Sequence, residues 1–323
     1  MLRFVLYRLV ATVLVLFAIS VLTFLIFFAT PGVDPAARIA GRNADQQTLR
    51  AVRHDFGLDK PLPVRYAIMM KKLFITRDLT SYVNRGARVV PQVTAAAPVT
   101  LSLVFGAAVI WVLVSIVMGV VAGVFHGRPI DTVVMIVGLI GISMPVFWLG
   151  EVVNLVTQSR LHGTFLFSWV PPLGYVPFTQ SPVAWFKSLI LPWITLAILY
   201  IGIYARVLRS SIVDAQEEEY VRTARAKGLT ERRVLVRHSL RMSLIAFVTL
   251  FGLDFGALVG GAALLTEVVF GLHGVGWLTY NSLQNLDLPV ILAAVIYAAF
   301  FVVIVNAIVD LLYAWLDPRV RIA

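Results

Sequence analysis

Six long runs of apolar side chains, nearly empty of charge, decide what this chain can fold into. A helix crosses the hydrocarbon core of a bilayer with about 20 consecutive apolar residues. Runs of that kind cover Leu9 to Ala29, Val99 to Phe125, Thr132 to Val156, Ser188 to Ala205, Met242 to Leu265 and Leu288 to Val309. The charged residues inside them are Glu151 and Asp254. The fourth run is the shortest and carries Pro192 near its start. Composition agrees: 59% of residues are hydrophobic and 14% charged, against about a quarter charged in a soluble domain. The expected fold is an all-α polytopic membrane protein with six transmembrane helices. The first run exceeds the 7–15 residue apolar core of a signal peptide, and no clean small-x-small site follows it. We read it as a retained span.

The net charge of +10 does not indicate nucleic acid, because the basic residues are scattered between apolar runs and form no basic domain. Their distribution does set orientation, since Lys and Arg in short loops stay on the cytoplasmic side. With the N-terminus inside, fourteen basic residues face the cytoplasm, nine of them between Arg206 and Arg241. The two short outer loops then hold only Arg160 and Lys187. Eleven more, from Arg38 to Arg88, fall in a long outer segment, and long segments cross largely regardless of charge. Both termini are therefore expected in the cytoplasm. The domain reading is 1–30 for the N-terminus and first span and 31–98 for an extracytoplasmic segment. A core of 99–316 follows, with a charged loop at about 206–241, and 317–323 is a cytoplasmic tail. With no cysteine, disulfides, thiolate catalysis and cysteine metal sites are excluded.

The charged loop contains "AQEEEYVRTARAKGLTERR", Ala215 to Arg233. The pattern predicts a helix over Asp214 to Lys227, acidic in its first half and basic at its end, which suits the helix dipole. Glu218 and Arg222 have i,i+4 spacing. Gly228 supplies a C′ stop and Thr230 can cap a following helix. One reading is a solvated loop with a basic end near anionic lipid. The other is a docking helix, because Ala224, Ala226 and Gly228 leave a bare patch for close packing.

"YVRTARAKGLTERRVLVRHSLR" closely resembles the signature cytoplasmic loop of permease subunits from binding-protein-dependent ABC importers, in particular the first permease of the oligopeptide/dipeptide/nickel branch. "PGVDPA", "FGLDKPLPVRY", "GISMPVFWLG", "FGLDFGALVGGA", "TEVVFGLHGVGWL" and "LLYAWLDPRVR" carry the resemblance along nearly the whole chain. The resemblance implies a type I ABC importer permease fold in a bacterial or archaeal cell membrane. It implies a second homologous permease, two ATP-binding subunits that hold ATP and Mg, an extracytoplasmic solute-binding protein and a peptide-like substrate. The loop would be a coupling helix contacting an ATPase through Tyr220, Arg222, Thr223, Ala224, Lys227, Gly228 and Leu229. Ala224 and Gly228 match the alanine and glycine of the broad family motif, and Arg222 stands where that family often has glutamate. A proline common after this loop would fall near Ala246 and is absent, so the kink expected at the start of span five is in question. The chain should bind no cofactor itself. None of its five lysines follows a glycine, as a P-loop requires, so no enzymatic activity is expected.

Ionisable groups at membrane depth are costly and face a cavity or a partner. Glu151, Asn154, Asp254 and Glu267 are the pathway candidates. Either Asp254 lines a substrate path and favours a positive amino group, or it pairs structurally. Gly252, Gly256 and Gly260 repeat every fourth residue, as do Gly119, Gly123 and Gly127, a spacing that lets helices approach closely. The first set is expected to meet a second permease. Gly271, Gly274 and Gly276 predict a re-entrant or gate-like turn over Glu267 to Trp277. The lone His273 is weak evidence for a metal. In the outer segment, "QQTLRAVRHDFGLDKPLP" reads as a helix, a glycine stop and a proline-bounded turn. "VRYAIMMKKLF" has an apolar stripe suited either to the membrane surface, where it would help seat a solute-binding protein, or to a lid on the chain's own helices. Two other classes stand beside the importer: an ion-driven secondary transporter coupled through Glu151 and Asp254, and a non-transporting membrane scaffold.

Overall fold

The computed structural model describes residues 2–28, 36, 46–55, 57–84 and 86–316. The "PGVDPA" stretch other than Ala36, and the tail 317–323, lie outside the described residues. The described residues are helical but for turns, loops and one isolated bridge, Thr80 to Arg88. The helices are α1 (Leu2–Phe28), α2 (Gln46–Asp55), α3 (Leu62–Met70), α4 (Val89–Val124), α5 (Pro129–Ser143), α6 (Val146–Leu155), α7 (Pro182–Glu217), α8 (Glu219–Ala226), α9 (Glu231–Val234), α10 (Leu240–Ala257), α11 (Leu264–Val269), α12 (Val275–Asn285) and α13 (Leu288–Leu316). Among the described residues, four continuous helical stretches are long and apolar enough to cross a membrane: Val89–Val124, Pro182–Glu217, Glu231–Ala262 and Leu288–Ile308. α5 and α6 form a fifth unit bent by 90°. α1 contributes a shorter apolar stretch, Val10–Ile26.

Three of the apolar runs differ from their expected form. Thr132 to Val156 is not one straight helix: it breaks at Met144 and Pro145, whose ψ values of 123° and 130° leave the helical region. Proline biases the residue before it away from the α conformation. Ser188 to Ala205 is the middle of a 36-residue helix. Pro192 does not interrupt that helix, whose N-terminus is capped by the Ser181 side chain accepting from the Ala184 amide at 3.3 Å. The start drawn at Val99 falls inside α4, which begins at Val89 and passes through Pro98. No kink occurs at Ala246, where α10 is continuous. A wide π turn precedes it at Leu235–Ser239, and the sharp change comes at Gly261, with φ of 110°.

α4 and α7 are the spine, and glycine brings them together. A Cβ on Gly119 would lie 2.8 Å from the Cβ of Leu208, and one on Gly123 would lie 2.9 Å from Cγ2 of Ile212. At the other end the Trp193 indole lies flat against Gly106, where a Cβ would be 2.0 Å from its Cε2. The Trp193 Nε1 donates to the Ser102 carbonyl at 2.9 Å. α5 crosses α7 at a contact of two glycines: a Cβ on Gly202 would lie 2.2 Å from the Gly138 carbonyl oxygen. Between lipid-like surfaces there is little hydrophobic drive, so association rests on such close packing.

The expectation that the 252/256/260 face meets a second permease does not hold for two of the three. Gly256 faces Val302 and Val305 of α13, and Gly260 faces Ala298 at 3.4 Å. Gly252 is buried. Gly256 of α10 and Gly260 of the π turn Leu258–Ala262 after it join that segment to α13 within one chain.

The segment between α1 and α4 packs on the bundle through α3 and the residues that follow it. α2 ends in a turn at Gly57, with φ of +64°, and α3 starts after Pro61. Met69 and Leu73 bury against Phe24, Val93 and Val290, while Phe74 and Ile75 stay exposed. Asp287, 4% exposed, accepts from the Tyr82 amide at 3.0 Å and from the Ser81 hydroxyl. One carboxylate thus ties residues 79–89 to the head of α13.

Gly202→Ala should destabilise the protein by about 1–3 kcal/mol, since the added methyl meets backbone that must move. Gly163→Ala, with nothing within 4 Å of the new Cβ, is the matched control. Thermal unfolding in detergent should show a lowered midpoint for the first and no change for the second.

Candidate functional site: the 218–234 loop and the carboxylates of the bundle

α7 and α8 are separated by a single residue. Glu218 has ψ of 144°, which ends α7 and makes Glu218 the N-cap of α8. The helix expected over Asp214 to Lys227 is therefore two helices. The expected Glu218–Arg222 pair does not form, because Glu218 lies off the helix. Arg222 Nη1 instead meets Glu219 Oε1 at 2.9 Å, an i,i+3 pair.

α8 ends at Gly228, whose φ of +75° only glycine adopts without strain. The Gly228 amide donates to Arg225 O at 2.9 Å and the Leu229 amide to Ala224 O at 3.3 Å, closing the helix as αL termini do. Thr230 is the N-cap of α9 by backbone, but its side chain makes no capping bond. Arg225 holds Glu231 with two bonds, at 2.9 and 3.2 Å. Exposed pairs of this kind contribute about 0.2–1 kcal/mol.

The bare patch expected from Ala224, Ala226 and Gly228 divides. Ala224 is 5% exposed and packs with Val221, Val234 and Leu229 in a small core of the loop's own. Its single methyl lets α8 lie close on α9. Tyr220, Arg222, Thr223, Ala226, Lys227 and Gly228 face outward, with Leu229 half-buried. Burial, and then the Glu218 carboxylate, raise the Tyr220 phenol above its ordinary pKa.

The loop between α4 and α5 is fastened to α7 on the same flank of the bundle. Arg209 Nε reaches Asp131 Oδ1 at 2.5 Å and its Nη2 reaches Oδ2 at 2.6 Å. The Gly127 amide donates to the same Oδ2 at 3.0 Å, and His126 Nδ1 lies 3.3 Å from it. Asp131 is 4% exposed. Arg209 keeps a partly exposed guanidinium, so the pair is a fastening at the edge of the bundle and not a charge sealed in its interior.

The four pathway candidates do not converge. Glu151 is exposed on α6. Asn154 turns inward and donates from Nδ2 to the Val269 carbonyl at 2.9 Å, anchoring α6 to the end of α11. Glu267 is fully buried. Its Oε1 accepts from the Thr100 hydroxyl at 2.6 Å and its Oε2 from the Trp277 amide at 2.8 Å. Thr100 in turn accepts the Val275 amide at 2.8 Å. Gly274 and Gly276 make room: a Cβ on Gly274 would lie 2.4 Å from Glu267 Oε1, and one on Gly276 would lie 2.8 Å from Leu264 Cα. Glu267 thus clasps the 270–277 turn from a fully buried position. His273 lies edge-on to Trp277, with ring centroids 4.3 Å apart. Asp254 is half-buried and accepts from the Tyr204 hydroxyl at 2.8 Å.

Sequence reasoning missed Thr100, Asp131, Tyr204, Arg209 and Asp287. Asp131 and Arg209 sit at the ends of apolar runs, where charge looks unremarkable, and Thr100 is one hydroxyl in an apolar helix. Their partners lie 78 or 167 positions away in sequence.

This is a multi-pass membrane protein whose charged loop projects as a short helix from one end of its longest helices. The family described as the inner membrane component of binding-protein-dependent transport systems matches residues 115–322, and the corresponding N-terminal family matches 1–104. A putative peptide transport system permease protein of Brucella abortus (strain 2308) is 37% identical over 317 residues, covering 98% of each chain. A probable D,D-dipeptide transport system permease protein of Escherichia coli (strain K12) is 36% identical over 323 residues, 95% of this chain and 94% of that one. A glutathione transport system permease protein of Salmonella choleraesuis (strain SC-B67) is 36% identical over 321 residues, 99% of each. The chain belongs to the binding-protein-dependent transport system inner membrane component family. It is a permease subunit of an ABC importer, and ATP hydrolysis lies in separate subunits. The secondary-transporter reading is not supported.

Glu267→Gln should weaken the clasp by about 1–3 kcal/mol, because an amide cannot accept all the bonds a carboxylate does. Hydrogen exchange at the Val275 and Trp277 amides should then speed up by about tenfold or more. Unchanged exchange would show that the turn is held by its packing alone.

Proposed function

We propose that this permease forms, with a second homologous permease, the translocation pathway for di- or oligopeptides or similar solutes, and that α8 is the helix through which ATPases drive it. The observation that carries the reading is the form of the 218–229 segment. An eight-residue helix with an exposed polar face is held between two backbone breaks, at Glu218 and Gly228, directly on the end of a 36-residue helix. Such a unit can receive a push from outside the bilayer and pass it along α7 without unfolding.

In this reading six spans cross a bacterial or archaeal inner membrane, the bent α5–α6 unit and α1 among them, with both termini cytoplasmic. The placement of basic residues supports that orientation. Residues 31–98 lie outside, where a solute-binding protein delivers substrate, and ATP and Mg belong to the two ATPase subunits. The peptide assignment is supported by relatives named for peptide, D,D-dipeptide and glutathione transport. Contact with the ATPase falls to Tyr220, Arg222, Thr223, Lys227, Gly228 and Leu229, with Ala226 beside them. Ala224 acts from beneath by fixing the helix on α9.

Single cysteines with a short bifunctional linker, placed in the assembled complex, test this reading. Arg222→Cys and Ala226→Cys should each capture an ATPase subunit, whereas Val221→Cys, fully buried, should not. An ATPase captured from neither exposed position would contradict the role of α8.

A further inference from the structure

Asp254 stands where three helices bring aromatic rings together. Tyr200 and Tyr204 come from α7, Trp111 from α4, and Phe251 and Phe255 from α10 itself. Trp111 stacks on Tyr200 with centroids 4.8 Å apart and lies 5.8 Å from Phe251. Phe251 stacks on Phe255 at 5.3 Å. Trp111 and Tyr204 are fully buried, while Tyr200, Phe251, Phe255 and Asp254 keep a partly open face. The Tyr204 hydroxyl donates to Asp254 Oδ2 at 2.8 Å. Among the described residues no Lys, Arg or His pairs with this carboxylate.

Every other buried acidic side chain described above is satisfied within the chain: Asp131 by Arg209, Glu267 by Thr100 and a backbone amide, Asp287 by Ser81 and a backbone amide. Asp254 differs. It has one neutral donor, which orients it, and that donor belongs to a cluster of aromatic rings. A carboxylate in a low-dielectric setting calls for a cation, and ring faces attract ammonium groups, more so when desolvated. Metal ions take sets of oxygen, nitrogen or sulfur ligands, which this single carboxylate among rings does not supply.

We infer that Asp254, with the ring faces of Tyr200, Phe251 and Phe255, is a binding site for a primary ammonium group, such as the free N-terminus of a peptide. Asp254 supplies the charge and Tyr204 is the positioning residue that holds the carboxylate toward the rings. Trp111 backs Tyr200 and keeps its face in place. This inference rests on the importer-permease reading and adds the chemical class that the pathway selects.

The test uses the assembled complex in nanodiscs without the solute-binding protein, whose own selectivity would mask that of the membrane site. Ligand-observed saturation-transfer NMR compares alanyl-alanine amide, which carries an ammonium group, with its N-acetyl counterpart. The wild-type complex should bind the amine about tenfold more tightly than the acetylated probe, in line with one ion pair assisted by ring faces. Asp254→Asn, which keeps the shape and the Tyr204 contact, should abolish that preference. Tyr204→Phe should keep the preference and weaken amine binding severalfold. Equal binding of both probes by the wild type, or an unchanged preference in Asp254→Asn, would overturn the inference. If Asp254→Asn does not assemble, the wild-type comparison and Tyr204→Phe still decide. Copurification of the ATPases and second permease is scored separately. A complex that assembles without amine preference removes this inference alone, and a chain that never assembles removes the importer mechanism beneath it.

Discussion

The close approach of α7 to its neighbours is the contact on which the rest of the molecule depends. Gly119 and Gly123 admit Leu208 and Ile212, Gly202 meets the backbone at Gly138, and Gly106 receives the Trp193 ring. These contacts run along a single helix of 36 residues, about 54 Å at 1.5 Å per residue. Packed interiors are stiff and transmit strain. A helix fixed at so many points moves as a rod with its partners or does not move. That rod carries α8 at one end, Arg209 with its grip on Asp131 one helical stretch further in, and Tyr204 beside Asp254 near its middle. In the proposed cycle a displacement at α8 crosses the break at Glu218 and then reaches Asp254 along one continuous helix.

The charged groups then sort by how they are satisfied. Asp131, Glu267 and Asp287 fasten parts of the fold: the α4–α5 loop to α7, the 270–277 turn to α4, and residues 79–89 to α13. Each joins segments far apart in sequence, so each stabilises tertiary structure that helix propensity cannot specify. Burying an acid is costly unless its bonds are met, and in these three they are. Asp254 has a single neutral donor and a partly open face, which suits a group that must also engage something mobile.

Much of the architecture was legible because apolar run length is a direct physical requirement of a bilayer. The glycine after the charged helix was legible for the same kind of reason, since a left-handed stop selects glycine. The errors share a cause. The break at Met144 and Pro145, the division of helices at Glu218 and the extension of α4 back to Val89 are decided by backbone geometry inside stretches of unchanging composition. Burial was the other blind spot. Ala224 read as a bare surface and Glu267 as a pathway group, because sequence gives residue type but not which neighbour folds over it. Gly256 and Gly260 were correctly spaced for close packing, yet spacing alone does not say which helix they meet.

The most direct measurement is peptide uptake into proteoliposomes that hold the complete complex, with ion gradients collapsed, ATP on the ATPase side and the solute-binding protein on the other. The account predicts accumulation that starts with ATP and ceases without it. Uptake driven by an ion gradient through this chain alone, with no ATP present, would contradict it.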